Sequence, residues 1–237
     1  MSWIARLFGR TTPAAPAPTL PGRRESGETP RADFADFTPD LGAFLGHSAY
    51  VQLEVFEGLA RAVLAAPTVA DKEALSRAAA RALTKQQQLV ELIVRAKYQP
   101  AAVMEPFAPA IDAFKATTTG NDWWELLVSS YVTAGILDDF FIGLAAGLPA
   151  PYAAEVAEIL SVPGANDVLR DIVAGGIERE PQLAHRLALW ARRLVGDTLL
   201  VARSALAGEK DFDHVEPVFT ELIAGHSRRL DALGLTA

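Results

Sequence analysis

Apolar residues recur at steps of three and four from Leu41 almost to the end of the chain, and no stretch alternates apolar and polar residues as a half-buried strand would. That periodicity confines the chain to helices. Leu41, Phe44, Leu45, Val51, Val55, Leu59 and Val63 mark a first helix to about Ala66. Pro67 breaks it, and Thr68 or Asp71 can cap a second helix through Leu75, Ala79, Leu83, Val90, Ile93 and Val94, ending before Pro100. A shorter helix is expected over 101–116. Asp122 should cap a helix carrying Trp123, Leu126, Leu127, Tyr131, Ile136, Phe140 and Leu144. A stretch from Tyr152 to Glu178 should be kinked or split at Pro163-Gly164. Pro181 opens the next helix, and a last one spans roughly 213–233. Of the 237 residues, 50% are hydrophobic, enough for a sizeable core. Several helices near 25 residues long with short connections predict an all-α antiparallel four-helix bundle with additional C-terminal helices.

The body is expected over 34–237, and what precedes it is different. Residues 1–31 hold five Arg against Glu25 and Glu28, a net +3, leaving 17 basic and 27 acidic side chains, or −10, for the rest. Residues 1–10 place Trp3, Ile4, Leu7 and Phe8 at helical spacing with Arg6 and Arg10 beside them, an amphipathic basic tip. Residues 11–33 carry Pro13, Pro16, Pro18, Pro21 and Pro30, which read as a linker without fixed structure. Trp3, Arg6, Phe8 and Arg10 are therefore the candidate binding residues, for a protein partner or a membrane surface. A frayed start of no consequence is the competing reading. The tip lacks the long apolar core and cleavage site of a secretory signal, and no run of about 18 consecutive apolar residues occurs. The expected location is cytoplasmic, with peripheral membrane association left open.

The absence of Cys excludes disulfides, thiolate metal sites and cysteine nucleophiles. No phosphate-binding glycine loop or nucleophile elbow occurs. Bundles build sites from inward carboxylates, so Glu54/Glu57, Glu155/Glu158 and Asp138-Asp139 are the metal-ligand candidates, against solvated faces or salt bridges to Arg. No Glu has His three residues later. Asp211-Phe212-Asp213-His214 has acidic-x-x-His spacing at a helix start, where an N-cap is the simpler reading. His47, His185 and His226 stand apart and read as surface or capping residues. At least one of Trp123 and Trp124 is expected to face outward.

The segments LEVFEGLARAV, PTVADKEALSRAAA, MEPFAPAIDAF, DWWELLVSSYVTAGILDDFF and LALWARRLVGDTL, within residues 40–207, resemble the actinobacterial ferritin-like family related to the tRNA hydroxylase MiaE. The resemblance implies a ferritin-like bundle and, in that family, a non-haem di-iron centre that hydroxylates an isopentenylated adenosine of tRNA with dioxygen. In the register fixed on MEPF, one acid-x-x-His would fall at Ala82 and Lys85, the second near Val162 and Ala165, and another acid near Ala134. The matching carboxylates are Glu54 or Glu57, and Asp139. No His occurs anywhere in 48–184, so no shift of register restores the motif. Lys85 should pair with a leftover carboxylate such as Glu57 or Asp139.

These readings favour a ferritin-like protein without metal or other cofactor, acting as a binding or structural module. The alternative is a di-iron hydroxylase acting on tRNA, which the acidic body does not favour. Alanine-rich faces such as Ala78-Ala79-Ala80 leave a homo-oligomer open.

Overall fold

The computed structural model describes residues 34–163, 165–205 and 212–235; the basic tip, the linker, Trp3, Arg6, Phe8, Arg10 and Asp211 lie outside the described residues, as do the side chains of 200–218. Nine α-helices occur among the described residues: α1 (Leu41–Ala65), α2 (Val69–Arg95), α3 (Pro100–Met104), α4 (Ala108–Thr118), α5 (Trp123–Ala145), α6 (Ala150–Ser161), α7 (Asn166–Arg179), α8 (Gln182–Ala205) and α9 (Phe212–Ala232). No strand is present among them.

The helix boundaries follow local chemistry. Asp40 caps α1 by accepting from the Ala43 amide (3.0 Å), and Thr68 caps α2 by accepting from Asp71 N (3.0 Å). Asp122 accepts from Glu125 N (2.9 Å), while Glu125 Oε2 reaches back to Asn121 N (2.8 Å), so two otherwise orphaned amides at the start of α5 are satisfied reciprocally. The stretch expected as one helix over 101–116 is instead α3, a 3-10 turn at Glu105–Phe107, and α4. Pro106 and Pro109 lack amide donors, so one continuous ladder is not available there. Pro163 ends α6, and the segment from 150 to 179 is split in two rather than kinked.

The four-helix bundle is formed by α1, α2, α5 and the broken pair α6–α7. α1 packs on α2 and α5, α2 on α6 and α7, and α5 closes the ring against α6 and α7. α8 and α9 then pack on the other side of α5. This placement explains why α5 is apolar almost all round: it is long and apolar enough to cross a membrane by length and composition, yet it is mostly buried inside the bundle. Gly46 lets α3 approach α1, since a Cβ there would lie 2.0 Å from the Val103 carbonyl oxygen. Ala78 and Ala79 are buried in the core, so that small-residue face is used within the chain.

Three histidine and tryptophan expectations need correction. His47 is buried, stacked on Phe107 at 4.4 Å and edge-on to Phe141 at 5.1 Å. His226 is buried too, and only His185 is exposed as expected. Burial pushes His47 down to about 4; burial, and then the Arg229 charge, push His226 to about 4 as well. Trp123 and Trp124 are both half-buried, packed against each other and the core, with Trp123 Nε1 donating to the Ala62 carbonyl (3.0 Å).

Candidate functional site

Core stripes run along α1, α2 and α5 at three- and four-residue steps, and each of them carries a polar or charged side chain. On α1 the stripe is Leu45, Ser48, Gln52, Val55 and Leu59; on α2 it is Leu75, Ala78, Ala82, Lys85, Leu89 and Leu92. On α5 it is Leu127, Tyr131, Ala134, Asp138, Phe141 and Ala145. The bundle brings Gln52, Lys85 and Asp138 together. Lys85 Nζ donates to Asp138 Oδ2 (2.9 Å), and Gln52 Nε2 donates to Asp138 Oδ1 (2.7 Å), so each carboxylate oxygen has its own donor. Gln52 and Lys85 are each 3% exposed.

The second partner of Lys85 comes from the helix break. Its Nζ also donates to the Leu160 carbonyl (2.8 Å). Leu160 sits in the last turn of α6, where carbonyls have no intrahelical partner and the helix dipole favours a cation. Pro163, by ending α6, therefore supplies the acceptor that completes the site. Burial raises the Asp138 carboxyl above its ordinary range; Lys85 and the Gln52 amide pull it back down, and Asp139 adds to the rise.

Lys85 thus pairs with Asp138 and not with Glu57 or Asp139. Adjacent residues on a helix point about 100° apart, so only one of the Asp pair can face the bundle. Asp138 does, and Asp139 turns to α9, where its Oδ2 accepts from Arg229 Nη2 (2.5 Å). The other candidate carboxylates are spread out. Glu54 and Glu57 both pair with Lys115 of α4, Glu57 at 2.6 Å. Glu155 pairs with Arg95, and Glu158 is exposed. No group of three or more His, Asp or Glu that could hold a metal comes together among the described residues.

A small cavity of about 70 Å³ lies between α1, α4 and α5, mostly apolar, with Glu54 and Lys115 at its edge. On its wall Gly58 stands where a Cβ would meet only Ser130 Oγ, at 3.5 Å. Across α5, Ser129 is fixed by Trp190 Nε1, which donates to its Oγ (2.9 Å).

A family model for the ferritin-like domain of actinomycetes matches residues 32–215. The chain belongs to that family. No curated protein matches it. The ferritin-like fold implies a di-iron centre in the bundle interior, which takes carboxylates and imidazoles from facing helices. The residues present do not fit that group. Of the five positions where the sequence register expects ligands, Ala82, Ala134 and Ala165 are buried alanines and Val162 is an exposed valine, none with a donor atom in its side chain. The remaining position, Lys85, puts a buried ammonium beside the Asp138 carboxylate, and an ammonium has three donors and no lone pair for a metal. Gln52 was missed by sequence reasoning, although its place on the α1 core stripe is a readable signal.

Proposed function

We propose that this ferritin-like protein has given up its di-iron centre and works as a binding or structural module. One observation carries the reading: the Lys85 ammonium, held by Asp138 and the Leu160 carbonyl, stands in the bundle interior. A cation there repels metal ions and consumes the carboxylate that would bind them. We further propose descent from proteins related to the tRNA hydroxylase MiaE, with the bundle kept and the ligands lost. Hydroxylation of a tRNA adenosine by a di-iron centre would need imidazole ligands, and the chain has no His between 48 and 184.

The binding role is assigned to the N-terminal arm. Trp3 and Phe8 offer aromatic anchors, Arg6 and Arg10 offer charge, and the proline-rich segment after them is a tether. A protein partner or a membrane surface is the proposed target. Deleting residues 1–33 tests this: partner capture or vesicle binding should be lost while the melting temperature of the body is unchanged. Unaltered binding by the truncated chain would contradict the role of the arm.

A further inference from the structure

The apolar helix α5 carries three small hydroxyl side chains, Ser129, Ser130 and Thr133, within two turns, and all three line the cavity between α1, α4 and α5. Ser130 is committed to its own helix, donating to the Leu126 carbonyl (3.0 Å). Ser129 is 5% exposed; its Oγ accepts from Trp190 Nε1, and its own proton meets no acceptor among the described residues. Thr133, one turn further on and half-buried, makes no hydrogen bond among them. Buried donors are normally matched, so an unmatched one at a cavity wall marks a place for an acceptor. Opposite these hydroxyls stands Gly58 of α1. A glycine inside a helix weakens it relative to alanine. At Gly46 close packing demands one, since a Cβ would lie 2.0 Å from a carbonyl oxygen of α3. At Gly58 a Cβ would meet only Ser130 Oγ, at an ordinary 3.5 Å, so this glycine keeps space in the cavity and not room for another helix. The other walls include Val51, Val55, Ile111, Phe114, Leu126 and Leu137. At the rim, Glu54 and Glu57 both hold Lys115, and the exposed Arg61 brings the rim to charge balance.

We propose that this cavity binds a small uncharged molecule with a thin hydrocarbon part and one carbonyl oxygen, of the class of medium-chain aliphatic ketones. A carbonyl oxygen has two lone pairs and can accept from both the Ser129 and the Thr133 hydroxyl. The hydrocarbon part lies against the valine, isoleucine, leucine and phenylalanine walls and gains by leaving water. An ion of either sign would shed its hydration against apolar walls with no opposite charge left to meet it, which selects for a neutral ligand. The cavity of about 70 Å³ belongs to about 630 Å³ of space between the same side chains that opens to solvent, so a linear molecule fits with one end enclosed. Gln52, Lys85 and Asp138 are not among the lining residues, so the site stands or falls apart from the metal-free reading and from the N-terminal arm.

The test is calorimetric titration of the full-length chain with 2-heptanone and with heptanoate, which match in carbon number and differ in charge. 2-Heptanone should bind one site per chain with a Kd of about 1 mM or tighter, and heptanoate about tenfold more weakly or worse. Gly58→Ala should raise the melting temperature and yet weaken 2-heptanone binding about threefold or more, because its methyl group takes space from the ligand; a merely structural glycine would not move the two readings in opposite directions. Thr133→Val keeps the shape of the side chain and removes the hydroxyl, and should weaken binding about fivefold or more with an unchanged far-UV circular dichroism spectrum. Absence of saturable binding, heptanoate binding as tight as the ketone, or 2-heptanone binding that Gly58→Ala or Thr133→Val leaves unchanged would each overturn the assignment.

Discussion

Replacing Lys85 by Met keeps the length and apolar stem of the side chain and removes its charge. Asp138 then remains in the bundle with only the Gln52 amide, and the Leu160 carbonyl loses its donor. At 2.9 Å the gross attraction between the two charges is about 6 kcal/mol for an effective dielectric constant near 20. Much of that is offset by desolvation, and the measured loss on breaking a buried pair is about 3–5 kcal/mol. For a body of this size that corresponds to a fall in melting temperature of roughly 6–20 °C. Urea denaturation of the wild type, Lys85→Met, Asp138→Asn and the double variant measures the coupling directly. The penalty for Lys85→Met should shrink as the pH is lowered, because Asp138 can take up a proton and stop being an unpaired charge. A loss below about 1 kcal/mol at pH 7, or a double variant no better than the sum of the singles, would refute the idea that this pair is a buried structural substitute for a site.

Acid should destabilise the protein through its two buried histidines. Both have folded-state values near 4 against an ordinary 6.5, so the unfolded chain binds more protons between those limits and stability falls as pH drops through that window, by about 3 kcal/mol for each histidine at pH 4. His47→Phe and His226→Leu should each flatten the pH profile of urea unfolding, and an unchanged slope in both would contradict their burial. Gly58→Ala should raise stability by about 0.5–1 kcal/mol, because the helix gains and the new methyl group meets only Ser130 Oγ; a drop in melting temperature would show that the cavity wall is tighter than described. Trp190→Phe strands the buried Ser129 hydroxyl and should cost about 1–3 kcal/mol, read by thermal unfolding and absent in a Trp190→Phe, Ser129→Ala double variant.

The fold was legible because its signals are local. The caps at Thr68 and Asp122 and the break at Pro163 each depend on a few neighbouring residues and fall where expected. The site was only half legible. That no His lies between 48 and 184 follows from a count, but the identity of the Lys85 partner depends on helix rotation. Asp138 and Asp139 are neighbours in sequence and point about 100° apart around α5, and no local signal says which one looks at α2. The α5 stripe of Tyr131, Ala134, Asp138 and Phe141 settles it only once the buried face is known. His47 and His226 were misread because a lone polar residue on an apolar stripe was given to the surface. The Arg229–Asp139 pair is not readable locally either: the room for the Arg229 stem is made by Gly135, nearly a hundred residues away.

The most direct test of the metal-free reading is the iron content of the full-length chain purified from cells grown with ample iron, with Lys85→Glu as its counterpart. The account predicts only trace iron in the wild type, because an ammonium with no lone pair occupies the bundle interior. Two irons per chain in the wild-type protein would contradict it.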